Sequence, residues 1–398
     1  MMRPLLNLPD FSGASASGRE VGAGSSGQCR ILIAGSRTNK ADGRQSLALG
    51  EKLSARGHRV VLLLPGPRTH ECDDLVNNPG VVVWPSKRPT HVKDALFLVR
   101  LIGKLQPTHL VANFGSVNLM MTIGYGLRVP NRISWYHTLS TAMDNPHLVW
   151  KRRLQRFRKR FVYRAATDIV TNSAAMKRDV MDVFGVPSGK ITVFPNSIAD
   201  PLPGRQEHLT PVERDRIICV GRLHPVKGQD VLLHALSRIR EKHPNAHVVF
   251  VGGGPLQEEY RSLAAHLGVS DRCRFLGGQP TGEVQRQLAS AMISVVPSRS
   301  DAFPFVIIES IALGIPVVAS HVGGIGEIIR DGVDGFLIPP DDIEALADRL
   351  SRLLDNTSLR AELGQNARQH FLQHYESEVV MTPQAKWIEE MVTTNLPA

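Results

Sequence analysis

The sequence predicts an α/β protein of two parallel-sheet domains with a cleft between them, and three observations carry that reading. Through the first half, short apolar runs at 30–34, 59–64, 81–84, 109–112, 133–136 and 168–171 alternate with helix-like stretches, the first at about 45–56. That order places parallel strands between covering helices. The rhythm restarts at Ile217 after a stretch, 198–215, that is rich in Pro, Gly and charge and reads as a hinge. The length of 398 residues is enough for two such domains. The expected organisation is a disordered Gly/Ser/Ala-rich tail at 1–28, a first domain at 29–197, the hinge, and a second domain at 216–380. The terminal segment 381–398 carries Trp387, Ile388 and Met391 at helical spacing.

Composition removes several function classes. No apolar run reaches the 18 or so residues that span a bilayer, and 1–28 lacks the core of a signal peptide. Cys29, Cys72, Cys219 and Cys273 are far apart with no C-x-x-C spacing, which suits reduced thiols in a cytoplasm. The formal charge of +10 is concentrated: Lys151 to Arg164 holds eight basic residues and no acid. Leu154, Phe157, Phe161 and Val162 recur there at helical spacing, so Leu and Phe are expected to pack inward on their own domain while Arg faces water. The alternative is a helix lying on an anionic membrane surface or meeting an anionic acceptor. Nucleic acid is disfavoured as a partner, because aromatic residues are 6% of the chain and stacking platforms are scarce.

The most informative stretch is 298–320, SRSDAFPFVIIESIALGIPVVAS. Asp301 or Ser300 can cap a helix, Pro304 fits its first turn, and Gly314 stops it before an apolar strand. The helix is apolar on every face and so should be buried. A buried carboxylate needs a dedicated partner, and the neighbouring sequence offers Glu309 none. Either ligand hydroxyls donate to Glu309 or a core Arg or His pairs with it. The helix start would aim free N–H groups, from Phe303 onward, at an anion.

Other residues gather at strand ends, where ligands of parallel sheets bind. Arg222 and Lys227, in Gly221-Arg222 to Lys227-Gly228, follow the first strand of the second domain; Arg can grip two phosphate oxygens and Lys adds a mobile charge. His137 stands just past the strand at 133–136. The first strand is followed by 35–43 without Gly-x-Gly-x-x-Gly spacing, which argues against a dehydrogenase; Gly43 is expected in the loop ahead of the first helix. The chain has no Asp-x-Asp, so a metal-clamped diphosphate lacks its ligands, and neither metal nor other cofactor is expected.

The run from Asp301 to Glu309, followed by Ala312, Leu313, Gly314 and Pro316, resembles the acidic-x7-Glu signature of the retaining GT-B glycosyltransferases of family four. This chain has Asp at 301, Ala at 302 and Pro at 304 where the commonest form differs. The resemblance implies that Glu309 holds the donor ribose, Asp301 reaches the donor sugar, and amides near Phe303 meet phosphate and sugar. It places Arg222 and Lys227 on the diphosphate, Gly43 near the donor phosphates and His137 at the reaction centre, and it returns the terminal helix to the first domain. It further implies retaining transfer of a hexose-type sugar from a nucleoside-diphosphate sugar to a hydroxyl acceptor, a lipid-linked one being an option, in surface polysaccharide or glycolipid assembly. The expected place is cytoplasmic, or peripheral on the inner face of the membrane. A nucleotide-sugar epimerase of the same architecture and a non-catalytic sugar-nucleotide-binding protein are the alternatives.

Overall fold

A computed structural model describes residues 28–36, 41–66, 79–140, 149–203 and 212–394. The expected tail up to residue 27, positions 204–211 of the expected hinge, Cys72 and the last four residues lie outside the described set. In the first domain the strands are β1 (Arg30–Ala34), β2 (Arg59–Leu64), β3 (Gly80–Val83), β4 (His109–Ala112), β5 (Asn131–Tyr136), β6 (Asp168–Thr171) and β7 (Ile191–Val193). They form one parallel sheet in the order β3-β2-β1-β4-β5-β6-β7. Its helices are α1 (Ala41–Ala55), α2 (Val92–Leu105), α3 (Val117–Gly126), α4 (Val149–Ala165) and α5 (Ala174–Phe184). The central strands are runs of Val, Ile, Leu and Ala buried on both faces, as a parallel sheet covered by helices requires.

The second domain repeats the scheme with β8 (Arg216–Val220), β9 (His247–Val251), β10 (Cys273–Phe275), β11 (Ile293–Val296), β12 (Val317–Ser320) and β13 (Gly335–Ile338). These six strands are parallel in the order β10-β9-β8-β11-β12-β13. Its helices are α6 (Gln229–Ile239), α7 (Gln257–His266), α8 (Thr281–Ala289), α9 (Phe305–Ala312), α10 (Ile325–Ile328), α11 (Ile343–Asp355) and α12 (Thr357–His374). A final helix, α13 (Ser377–Thr394), leaves this domain and packs on α1; Met381, Ala385, Ile388 and Met391 share a core with β1, β2 and α1. Strand order reverses once in each sheet, between β1 and β4 and between β8 and β11. Those reversals open a crevice beyond the strand ends, and in both domains the candidate residues sit there.

Three expectations are corrected. The first helix begins at Ala41, so Gly43 lies in its first turn, buried, and not in the preceding loop; Asp42 beside it favours a helix N-terminus electrostatically. α9 begins only at Phe305 with Pro304 as its N-cap, and no side chain caps it, so neither Asp301 nor Ser300 has that role. A residue before proline is pushed out of the helical region, which keeps Phe303 in the loop. In α4, Leu154, Phe157 and Phe161 do not pack inward: they are exposed, and Val162, Tyr163 and Ala165 make the contact with the domain.

The start of the interdomain segment belongs mechanically to the second domain. Arg368 of α12, buried, donates from Nη1 to Asp200 Oδ1 at 2.7 Å and from Nη2 to Oδ2 at 2.8 Å, and also to the carbonyl of Ala312 at the end of α9. A bidentate pair of this kind fixes position as well as charge.

His109, at the start of β4 and fully buried, carries a pH dependence. Its Nε2 meets the Asn131 amide at 3.1 Å and its Nδ1 the Thr108 hydroxyl at 3.0 Å. Burial pushes its pKa down to about 4. The unfolded chain, with an ordinary His, binds a proton from about pH 6.5 downward while the folded chain does not, so stability rises with pH through that window. The expected result is a loss of about 3 kcal/mol of unfolding free energy between pH 6.5 and 4 from this group, read by urea denaturation. His109→Gln should flatten that part of the curve, and a curve unchanged by the substitution refutes the assignment.

Candidate active site

The first-domain half of the cleft is built on β4 and β5. His137 follows β5 directly, and its Nε2 lies 2.7 Å from Asn113 Oδ1. The Asn113 amide nitrogen donates to the Ala34 carbonyl at 2.9 Å, so its oxygen must accept and His137 carries its proton on Nε2. Asn113 therefore ties the ends of β1 and β4, at the strand-order reversal, to the His137 ring. Burial lowers the His137 pKa to about 3, which leaves a neutral ring with Nδ1 as a hydrogen-bond acceptor. Phe114 stacks on the ring at a centroid distance of 4.2 Å, from a left-handed backbone (φ 50) that a bulky residue adopts only when its surroundings enforce it. Asp179 of α5 holds the segment that follows: it accepts from the Tyr136 hydroxyl, the Ser140 hydroxyl and the Ser140 amide.

In the second-domain half, Lys227 and Asp301 reach across the β8/β11 reversal. Lys227 Nζ lies 2.5 Å from Asp301 Oδ2, and Ser298 donates to the same oxygen at 3.3 Å. Arg222 is exposed and its guanidinium has no protein partner among the described residues. Its backbone is placed by the turn after β9: a Cβ on Gly252 would stand 2.0 Å from the Gly221 carbonyl, so only glycine lets the two loops close. The glycine-rich turn at 252–254 thus serves the approach of another loop.

The loop 301–303 is pinned from both domains. The Asn196 amide donates to the Phe303 carbonyl at 2.8 Å, Ala302 packs against the first-domain core, and Gly324 donates to the Ala302 carbonyl. Gly323 adopts φ 54, and a side chain there would strike the Asp301 carbonyl and approach Leu139, two residues beyond His137. The segments carrying His137 and Asp301 therefore meet at Gly323. The amides of Phe303, Phe305 and Val306 donate to no group among the described residues. A further carboxylate bridges the domains: Glu327 of α10 accepts from the amides of Ala174 and Ala175, both at 2.7 Å, at the N-terminus of α5.

Glu309 lies on the cleft side of α9, with its side chain 14% exposed. Burial raises its pKa, and Arg44 of α1, in the other domain, partly offsets this. The Arg44 Nη2 to Glu309 Oε1 distance is 3.6 Å, an ion pair without a hydrogen bond. Both possibilities left open by the sequence are thus partly present, since a guanidinium is near and a cavity of about 250 Å³ opens beside the carboxylate. Ile198, Leu202, Arg286, Leu288 and Leu313 line that cavity.

The structure brings Asp301 together with Lys227, and Glu309 with Arg44; it does not bring Gly43 into a loop facing the cleft. Residues 43–200 match the model of Glycosyltransferase Family 4, and residues 204–370 match that of Glycosyl transferases group 1. The chain belongs to the group 1 glycosyltransferases of GT-B fold. The D-inositol 3-phosphate glycosyltransferase of Acidothermus cellulolyticus is 34% identical to it over 235 residues, 55% of this chain and 52% of that one. The chain thus spans about half the length of that curated relative. Among solved structures, the sucrose-phosphate synthase of Thermosynechococcus elongatus superposes with a TM-score of 0.76 at 19% identity, covering 92% of this chain and 100% of that one. The Anabaena Alr3699/HepE protein in complex with UDP superposes at 0.73 and 19% identity, covering 91% and 100%.

Within this GT-B chain, Arg44, Asn113, Asp179 and Glu327 escaped the sequence reading. Each acts on a partner far along the chain, and only the Gly-Gly before Glu327 hinted that its loop was special. Among the described residues no three His, Cys, Asp or Glu side chains converge as a metal would need, and no helix is long and apolar enough to cross a membrane.

Proposed function

We propose that this glycosyltransferase moves a hexose-type sugar from a nucleoside-diphosphate sugar to a hydroxyl acceptor, with retention and without a metal, in surface polysaccharide or glycolipid assembly. The observation that carries the reading is Glu309, a largely buried carboxylate beside a cavity, facing the cleft with an Arg44 ion pair at 3.6 Å and no hydrogen bond among the described residues. Ribose hydroxyls donating to it would supply the hydrogen bonds it lacks. The diphosphate then lies toward Arg222, Lys227 and the amides of Phe303, Phe305 and Val306, which neutralise the charge that develops as the sugar C1–O bond breaks.

The acceptor oxygen forms the new bond to C1, and its proton passes to the departing diphosphate oxygen. A ring with a pKa of about 3 is too weak a base for that proton. His137 instead accepts from a sugar hydroxyl at Nδ1 and positions the donor. The UDP in the Anabaena structure and the named activities of the relatives favour such a donor.

The test is a hydrolysis screen over UDP-, GDP-, ADP- and dTDP-sugars with EDTA present. Slow release of one nucleoside diphosphate, unchanged by EDTA, is the expected result. Release restored only by a divalent metal refutes the metal-free mechanism, and an isomerised donor without transfer replaces the reading with epimerisation.

A further inference from the structure

The outward apolar side of α4 has no core to face. Leu154, Phe157 and Phe161 stand at i, i+3 and i+7 with 60%, 72% and 60% of their surface exposed. Arg158, Arg160 and Arg164 on the same helix are exposed as well. Three large apolar groups held in water and rimmed by cations mark an interaction surface.

The feature extends beyond one helix. α3 packs between α4 and α2, and α2 turns out Val92, Leu96 and Val99, exposed at 76%, 55% and 41%, alongside exposed Lys93, Arg100 and Lys104. Between residues 81 and 166 the sequence has fifteen Lys and Arg against two acids, Asp94 and Asp144. Asp94 is fully buried and contributes nothing to the surface. The α2–α4 layer thus combines exposed aliphatic and aromatic groups with nearly unopposed positive charge.

Charge decides the occupant. Two copies meeting through this face would press like charges together. Nucleic acid would satisfy the cations but leave Val92, Leu96 and Leu154 without apolar contact, because stacking needs aromatic planes. An anionic bilayer satisfies both sets at once: headgroups meet Arg and Lys, and the acyl boundary takes Leu and Phe. We propose that the α2–α4 face docks on an anionic lipid bilayer. α4 joins β5, which ends in the cleft at His137, to its parallel neighbour β6, so docking holds the cleft beside the membrane surface, where a lipid-borne acceptor can reach it. The inference deepens the proposed reaction, yet binding to lipid needs neither donor nor acceptor, and its failure leaves the transfer chemistry standing.

The test is flotation of the full chain with vesicles of phosphatidylcholine alone and of phosphatidylcholine with about one third phosphatidylglycerol. The expected result is at least about tenfold stronger partitioning to the anionic vesicles, weakened by salt. Phe157→Ser with Phe161→Ser, and separately Arg158→Gln with Arg160→Gln, should each reduce it about tenfold. All four side chains are exposed, so donor hydrolysis and the unfolding temperature should stay at wild-type values. Equal binding to neutral vesicles, anionic binding unaffected by the Phe pair, or tighter binding to a DNA oligonucleotide than to the vesicles overturns the proposal. So does a dimer that the Phe pair dissociates.

Discussion

Glu309→Gln is expected to weaken nucleoside-diphosphate binding by about 10- to 100-fold while leaving the fold intact. A hydrogen bond to an ionised group contributes about 1.5–3 kcal/mol, which sets that range. Glutamine keeps the volume and one acceptor oxygen but loses the charge that strengthens both ribose bonds. Stability should not fall. Burial already disfavours the ionised carboxylate, and its ion-pair partner among the described residues, Arg44, stands 3.6 Å away and is partly exposed. Neutralising a poorly compensated buried charge removes a penalty. Calorimetry with UDP and GDP, paired with thermal unfolding, separates the two effects. Unchanged affinity removes Glu309 from the ribose site, and a collapsed unfolding temperature makes it a structural residue.

Lys227→Ala is expected to cost about 10²- to 10³-fold in kcat/KM, the scale seen when one donor that stabilises developing charge is removed. Two changes act together. The diphosphate loses a cation, and Asp301, 13% exposed and 2.5 Å from Lys227, is left negative and unpaired in front of it. Adding Asp301→Asn removes the second penalty only. The double variant should regain part of the nucleotide affinity lost by Lys227→Ala while transfer stays low, because both the leaving-group cation and the sugar contact are missing. A Lys227→Ala rate within twofold of wild type, or full recovery in the double variant, would reduce the pair to a structural contact.

The architecture was legible because it rests on local patterns. β1, β2, β4 and β6 span the residues that the alternation indicated, since strands buried on both faces must be unbroken apolar runs. Gly314, at φ 69, ends α9 where a left-handed residue is needed. Local signals misled where a non-local partner set the outcome. Asp301 looks like a helix cap in sequence, but Lys227, 74 residues away, takes its carboxylate. The stripe of α4 looks like a core face, yet the domain closes over Val162 and Tyr163 before reaching Phe161.

By itself the sequence determined the two parallel sheets, the membership of the GT-B glycosyltransferases, and the strand ends at which Arg222, His137 and Asp301 stand, because strand periodicity, turn chemistry and motif spacing act within a few residues. Tertiary structure alone decided that Glu309 faces Arg44 across the cleft, that Asn113 fixes the His137 tautomer, and that Glu327 joins α10 to the start of α5. Charge pairing and ring orientation depend on which surfaces the packed domains bring within 3 to 4 Å, a distance that chain order does not encode.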